Sequence, residues 1–191
     1  MRLFIALWPD VAVRAALDSL ARDVAIETGG RAVTADNLHL TLAFLGDRPA
    51  AMVPQLCESV SAIRVSPFLM CLDDIGCWRK AGTAWLAASE PSAQLLALHE
   101  CVVRALATVQ IVIDARPFAG HVTLARRIKS RVAHQLAPPI AWSADSFALV
   151  ASTPDPQGAR YRVLATWPSE TAVDGAAARV AVASRDRGGG L

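Results

Sequence analysis

The stretch His39-Leu40-Thr41-Leu42-Ala43-Phe44-Leu45-Gly46 decides how the chain folds. It reads as a buried strand with two polar residues set among core residues. Side chains of an extended chain alternate between faces. Leu38, Leu40, Leu42 and Phe44 are therefore expected on one apolar face, and His39, Thr41 and Ala43 on the other. Residues two apart on one face stand roughly 6.5–7 Å from each other. The same word recurs later as His121-Val122-Thr123-Leu124-Ala125, where His121 and Thr123 again share a face. A lone strand histidine is most often a hydrogen-bonded core residue. The same His-x-Thr-Leu-Ala word in each half of the chain argues against that reading for the pair.

The segments around these two strands punctuate clearly. Residues 2–8 form a β-rich run closed by Pro9, and Asp10 is a candidate N-cap. Val13, Leu17, Leu20 and Val24 then recur at helical spacing up to Gly29-Gly30. Pro49 and Pro54 bracket a second helix start, with Val53, Leu56, Val60 and Ile63 as its stripe. Residues 68–75 and 84–88 read as a hairpin around a turn that contains Trp78, Arg79 and Lys80. Pro91-Ser92 opens a third helix with Leu95, Leu98, Val102 and Leu106 inward. Residues 109–113 are expected to be extended. Residues 130–136 are expected to form a helical turn or two, broken by Pro138-Pro139. Strands over 146–152 and 160–167 close the chain. From 169 to 191 the composition shifts to Ala, Gly, Arg and Asp, which predicts a disordered tail.

Strands and helices interleave, so an α+β class follows. One His-x-Thr strand per half predicts a bilobal, pseudo-twofold arrangement of two antiparallel-rich sheets. Helices lie on the outer faces and a groove lies between the lobes. Residues 1–168 form a single bilobal domain in this reading.

The 191 residues are 53% hydrophobic and 19% charged, as expected for a packed globular chain. The apolar run over residues 3–8 is too short to span a bilayer and lacks a signal-peptide pattern, so a cytoplasmic protein is expected. A formal net charge of +2 does not announce a binder of long nucleic acid. The four cysteines form no C-x-x-C pair and suit no zinc site.

Two histidines facing one cleft supply an acid and a base together near neutral pH. Phosphodiester cleavage needs both, one proton leaving the attacking oxygen and one reaching the departing oxygen. A threonine hydroxyl two residues on can donate to a non-bridging phosphate oxygen. Two histidines without Asp, Glu or Cys in ligand spacing make a poor metal set. Asp73 and Asp74 are expected to end or flank a strand. Neither a metal nor a cofactor is expected.

Arg126 lies five after His121, as Phe44 lies five after His39. In a regular strand that offset faces away from the histidine, so a bulge or strand end must re-aim Arg126 toward a phosphate. Arg127 has the right parity without it. An aromatic at that offset can pack against a base or ribose, but Phe44 is expected to pack in the core. Tyr161 and Trp78 are candidates for base contact. His99 and His134 read as structural or exposed.

These residues resemble a known family. His39-Leu-Thr-Leu-Ala-Phe-Leu-Gly and His121-Val-Thr-Leu-Ala-Arg are similar to the paired signatures of the 2H phosphoesterase superfamily. Within it they are most similar to the bacterial RNA 2′,3′-cyclic phosphodiesterases, formerly called 2′-5′ RNA ligases. Arg2-Leu3-Phe4-Ile5-Ala6-Leu7, Asp36-Asn37-Leu38 and Arg160-Tyr161 extend the likeness over about residues 2–168. The resemblance implies a bilobal fold with both motif strands lining a central groove. It implies metal-independent hydrolysis of a terminal 2′,3′-cyclic phosphate to a 2′-phosphate, with weak reverse 2′-5′ ligation. His39 and His121 become the catalytic pair and Thr41 and Thr123 the phosphate anchors. His39 is expected to protonate the departing 3′ oxygen and His121 to activate water, an assignment that pseudo-symmetry makes reversible. The implied partner is an RNA end, tRNA halves included, with no membrane or obligatory protein partner and a monomeric state. The competing reading is a module that holds an RNA end or cyclic nucleotide without turnover.

Overall fold

A computed structural model describes residues 1–64, 66–113, 116–155 and 159–168. The tail expected over 169–191 lies outside the described residues. Among the described residues, nine strands form one sheet in the order β7-β4-β5-β6-β3-β1-β8-β9, with β2 paired to β6. The strands are β1 (Arg2–Leu7), β2 (Arg31–Ala32), β3 (Leu40–Asp47), β4 (Phe68–Trp78), β5 (Thr83–Ala87), β6 (His121–Arg126), β7 (His134–Ala144), β8 (Ser146–Thr153) and β9 (Arg160–Pro168). The helices are α1 (Val11–Thr28), α2 (Val53–Val60) and α3 (Ala93–Thr108). All strand pairings are antiparallel.

The two halves, β7-β4-β5-β6 and β3-β1-β8-β9, meet at a single pair, Leu40 with Val122. The two expected sheets are therefore joined into one, with the pseudo-twofold at that seam. Each half borrows its helix from the other. α1 follows β1 but packs on β6 and β7, while α3 follows β5 but packs on β3. Asp10 caps α1 by accepting from the Val13 N–H at 2.8 Å, and Ser92 caps α3 through Leu95 at 3.1 Å. Gly29 ends α1 at φ +62°, a left-handed conformation that glycine adopts at no steric cost.

The main core lies between the sheet and the helices. Leu3, Ile5 and Leu7 enter it from β1, with Leu17 and Val24 from α1 and Leu98, Val102 and Leu106 from α3. Phe4 and Ala6 point to the other face. There they join Ala148 and Val150 in a small second cluster capped by Trp8 and Tyr161. No helix among the described residues is long and apolar enough to cross a membrane.

Two expectations fail. Residues 109–113 do not pair as a strand. The chain winds out of α3 in turns, with the Val109 and Ile111 N–H groups on the Leu106 carbonyl and that of Gln110 on Ala107. Residues 130–136 contain no helical turn, and His134 begins β7 instead. β7 pairs with β4 on both sides of the prolines, Leu72 with Ile140 and Asp74 with Gln135. Leu136 to Pro139 bulge out opposite Asp73. Proline is tolerated there because β7 is an edge strand with no neighbour to receive its missing N–H bonds.

Gly76 on β4 faces Trp85 on β5, and a Cβ at Gly76 would sit 2.3 Å from Trp85 Cζ2. Gly76→Ala is expected to destabilise the fold by about 1–3 kcal/mol through overpacking, read as a lowered urea midpoint at unchanged slope.

Candidate active site

Both motif strands carry the same irregularity. On β3, Thr41 faces Ala6 of β1 and Ala43 faces Ile5, so Leu42 has no cross-strand partner. On β6, Thr123 faces Trp85 of β5 and Ala125 faces Ala84, so Leu124 has none. Each is a β-bulge, in which two residues oppose one and the alternation of faces shifts by one. Leu42 and Ala43 are both buried, as are Leu124 and Ala125. The residue after each bulge therefore returns to the histidine's face. Phe44 is 67% exposed there, which corrects its placement in the core. Arg126 is exposed at the equivalent position of β6 and is re-aimed by the bulge that its offset demanded.

The seam sets the rest of the geometry. Leu40 pairs with Val122 in antiparallel register. One residue further along each strand, His39 stands across from Thr123 and Thr41 across from His121. The register thus puts the four polar side chains on one face of the seam, close enough for the His121 charge to act on His39.

Both rings are held by the backbone two residues earlier. His39 Nδ1–H donates to the Asn37 carbonyl at 2.7 Å, and His121 Nδ1–H to the Ala119 carbonyl at 2.7 Å. A carbonyl only accepts, so each neutral ring carries its proton on Nδ1 and leaves Nε2 as the acceptor nitrogen. His39 Nε2 accepts from the Thr41 hydroxyl at 3.1 Å. Burial pushes the His39 pKa down to about 4. The bond to Asn37 opposes the shift, and the nearby charges of His121 and Arg126 add to it. Burial also lowers His121, again opposed by its carbonyl bond and assisted by Arg126. Both rings are consequently neutral in the free protein at pH 7.

Aromatic rings back each histidine. Trp8 stacks on His39 at a centroid distance of 5.4 Å and 9°. Phe4 lies 4.8 Å from it and Tyr161 meets it edge-on at 5.2 Å. Trp78 meets His121 edge-on at 4.5 Å, with Trp85 behind it. A groove of about 970 Å³ opens beside His39 and Thr123, and Thr41 and His121 are not part of its lining. Its wall includes His39, Thr123, Phe44, Tyr161 and Arg126, together with Arg127 and Arg160. The cationic side chains favour an anionic ligand although the net charge of the chain is only +2.

Trp8, Phe4 and the anchoring carbonyls of Asn37 and Ala119 are absent from the sequence-level candidates. Backbone acceptors leave no trace in residue identity, and Trp8 read as the end of a strand. Asp73 accepts from the backbone and hydroxyl of Ser89 at 2.8 Å each. His134 pairs with Glu27 at 3.5 Å. Among the described residues, no three His, Cys, Asp or Glu side chains gather as a metal set.

Residues 7–85 match the family described as LigT like Phosphoesterase. The RNA 2′,3′-cyclic phosphodiesterase of Escherichia coli is 36% identical over 141 residues, covering 72% of this chain and 79% of the relative. The RNA 2′,3′-cyclic phosphodiesterase of Thermus thermophilus is 34% identical over 178 residues, covering 86% and 88%. The crystal structure of E. coli LigT complexed with 3′-AMP superposes with a TM-score of 0.80 at 30% identity, over 88% of this chain and 98% of that one. With both motif strands, the shared sheet and relatives matched over most of their length, the chain belongs to the LigT-like phosphoesterases of the 2H superfamily.

Proposed function

We propose that the protein hydrolyses the 2′,3′-cyclic phosphate at an RNA end to a 2′-phosphate, with His39 and His121 as its acid–base pair. The observation that supports this reading is the seam register, which puts two histidines and two threonines on one face with the Nδ1–H of each ring on a backbone carbonyl and Nε2 left to act. A cyclic phosphate held among them has a ring on either side, as in-line displacement requires. His121 takes a proton from water, and the oxygen attacks phosphorus. The bond to the 3′ oxygen breaks and His39 supplies its proton. Thr41 and Thr123 donate to the non-bridging oxygens, and Arg126 balances the phosphate charge. Phe44 and Tyr161 flank the base or ribose. No step requires a metal, so EDTA is expected to leave the rate unchanged.

In the free protein His39 is neutral near pH 7, with its one proton on Nδ1 and none on Nε2. Burial is the main cause of the lowered pKa, and an anionic phosphate beside the ring opposes it by favouring the charged form, so Nε2 gains its proton as substrate enters. The pH dependence follows. One ring must be protonated and the other neutral, so kcat/KM follows a bell set by the pair's two macroscopic pKa values in the free enzyme. Both histidines are lowered from 6.5. The alkaline inflection of kcat/KM is therefore expected below pH 6.5, and that of kcat at higher pH. A flat profile between pH 5 and 9 would count against the acid–base pair.

The catalytic unit is residues 1–168, and both halves of the site come from one chain, so a monomer suffices. The groove suits a short RNA end such as a tRNA half, and the same pair run backwards accounts for weak 2′-5′ ligation. The test is incubation with an oligonucleotide ending in a 2′,3′-cyclic phosphate, scoring which hydroxyl keeps the phosphate. A 2′-phosphate is expected. A 3′-phosphate would overturn the choice of leaving oxygen. Equal binding of cyclic and opened ends without turnover would favour a binding module.

A further inference from the structure

α3 carries neither motif, yet one of its side chains touches both half-sites. His99 Nδ1–H donates to the Leu42 carbonyl at 2.9 Å. Leu42 is the unpaired residue of the β3 bulge, the irregularity that returns Phe44 to the face of His39 and Thr41. The same ring stacks on Phe118, with centroids 4.0 Å apart and planes within 10°. Phe118 directly precedes Ala119, whose carbonyl holds the Nδ1–H of His121. α3 presses on that loop elsewhere too, since a Cβ at Gly120 would lie 3.1 Å from Leu95 and 3.2 Å from Phe118.

The equivalent carbonyl of the other bulge is served differently. Leu124 O accepts from the main-chain N–H of Val33 at 2.8 Å. One bulge is thus closed by backbone that any residue supplies. The other depends on a side-chain donor. A bulge leaves ladder groups unpaired, and an unpaired buried carbonyl is costly, so the donor selects the bulged register over a regular one.

We propose that His99 is a positioning residue that couples the two halves of the site. Its N–H holds the β3 bulge, and thereby the attitude of His39, Thr41 and Phe44. Its ring holds Phe118, and thereby the carbonyl that orients His121. The proposal rests on the acid–base reading of His39 and His121 given above.

Two substitutions separate the contacts. His99→Asn places an amide N–H near the former Nδ1 and removes the ring, whereas His99→Phe keeps the ring and removes the donor. With the cyclic-ended oligonucleotide, H99F is expected to lower kcat about tenfold and raise KM, because Phe44 turns with the bulge. H99N is expected to lower kcat with KM unchanged. The hydrogen-bonded imidazole N–H resonances supply a readout that mere destabilisation does not move. H99F should shift that of His39 and spare that of His121, and H99N the reverse. Unchanged kinetics and unmoved resonances in the folded variants would overturn the proposal. So would activity lost only in proportion to the unfolded fraction. If H99F does not fold, H99N decides alone by its kcat and the His121 resonance. If the wild-type protein hydrolyses no cyclic phosphate, the functional reading falls, while the resonances still decide the positioning.

Discussion

Replacing His121 with alanine is expected to lower kcat for a 2′,3′-cyclic-ended oligonucleotide about 10²–10⁴-fold, and His39→Ala by a similar factor. In the proposed mechanism each ring carries one of two proton transfers that flank one phosphorus. Removing either leaves water or the 3′ alkoxide without a partner of matched pKa. The fold should survive both changes. His39 and His121 lie outside the main core, and their ring nitrogens bond to the carbonyls of Asn37 and Ala119 in surface segments. Thermal melts beside the kinetics separate lost chemistry from lost structure. The assignment of roles has its own readout. A substrate with sulfur in place of the 3′ oxygen leaves without a proton, so it should rescue His39→Ala and leave His121→Ala inactive. Rescue of the second variant alone would exchange the two roles. Full activity of either alanine variant on the natural substrate would remove that histidine from the mechanism.

The second large effect concerns the threonines. Thr123→Val is expected to lower kcat about 10²–10³-fold, as for loss of one donor to a developing oxyanion. Valine keeps the branched shape and half-buried packing on β6 while removing the hydroxyl. Thr123→Ser should restore the rate to within about tenfold, since it returns the donor. Thr41 differs in its resting state. Its hydroxyl already donates to His39 Nε2 at 3.1 Å, so the proposed mechanism has it exchange that acceptor for phosphate oxygen as substrate enters. Thr41→Val therefore removes a phosphate donor and a bond of the free protein together. Equal rates for Thr123→Val and wild type would show that the hydroxyl makes no bond in the transition state.

Much of the site was legible because its signal is short-range and repeated. Alternation along an extended chain places His39 with Thr41 and His121 with Thr123 without any tertiary information. The caps Asp10 and Ser92 were equally local, because the residue that bonds the first-turn N–H groups is also the residue that begins the helix. Legibility failed where alternation itself broke. A bulge inserts one residue, and parity computed through it is wrong beyond it, so Phe44 was misplaced. Arg126 escaped only because its chemistry demanded the groove. β7 failed for another reason. Pro138-Pro139 stops a helix and a central strand alike, and only the position of β7 at the sheet edge makes it a strand.

The sequence by itself determined which side chains are candidates for the chemistry and that there are two of each. Those facts depend on residue type and a two-residue period. Tertiary structure alone decided that His39 stands across from Thr123 and Thr41 across from His121, because strand register is a long-range pairing. It also decided that α1 and α3 change lobes, that Asn37 and Ala119 supply the anchoring carbonyls, and that His99 reaches Leu42. Each of these joins segments through backbone groups or distant contacts, which residue identity does not encode locally.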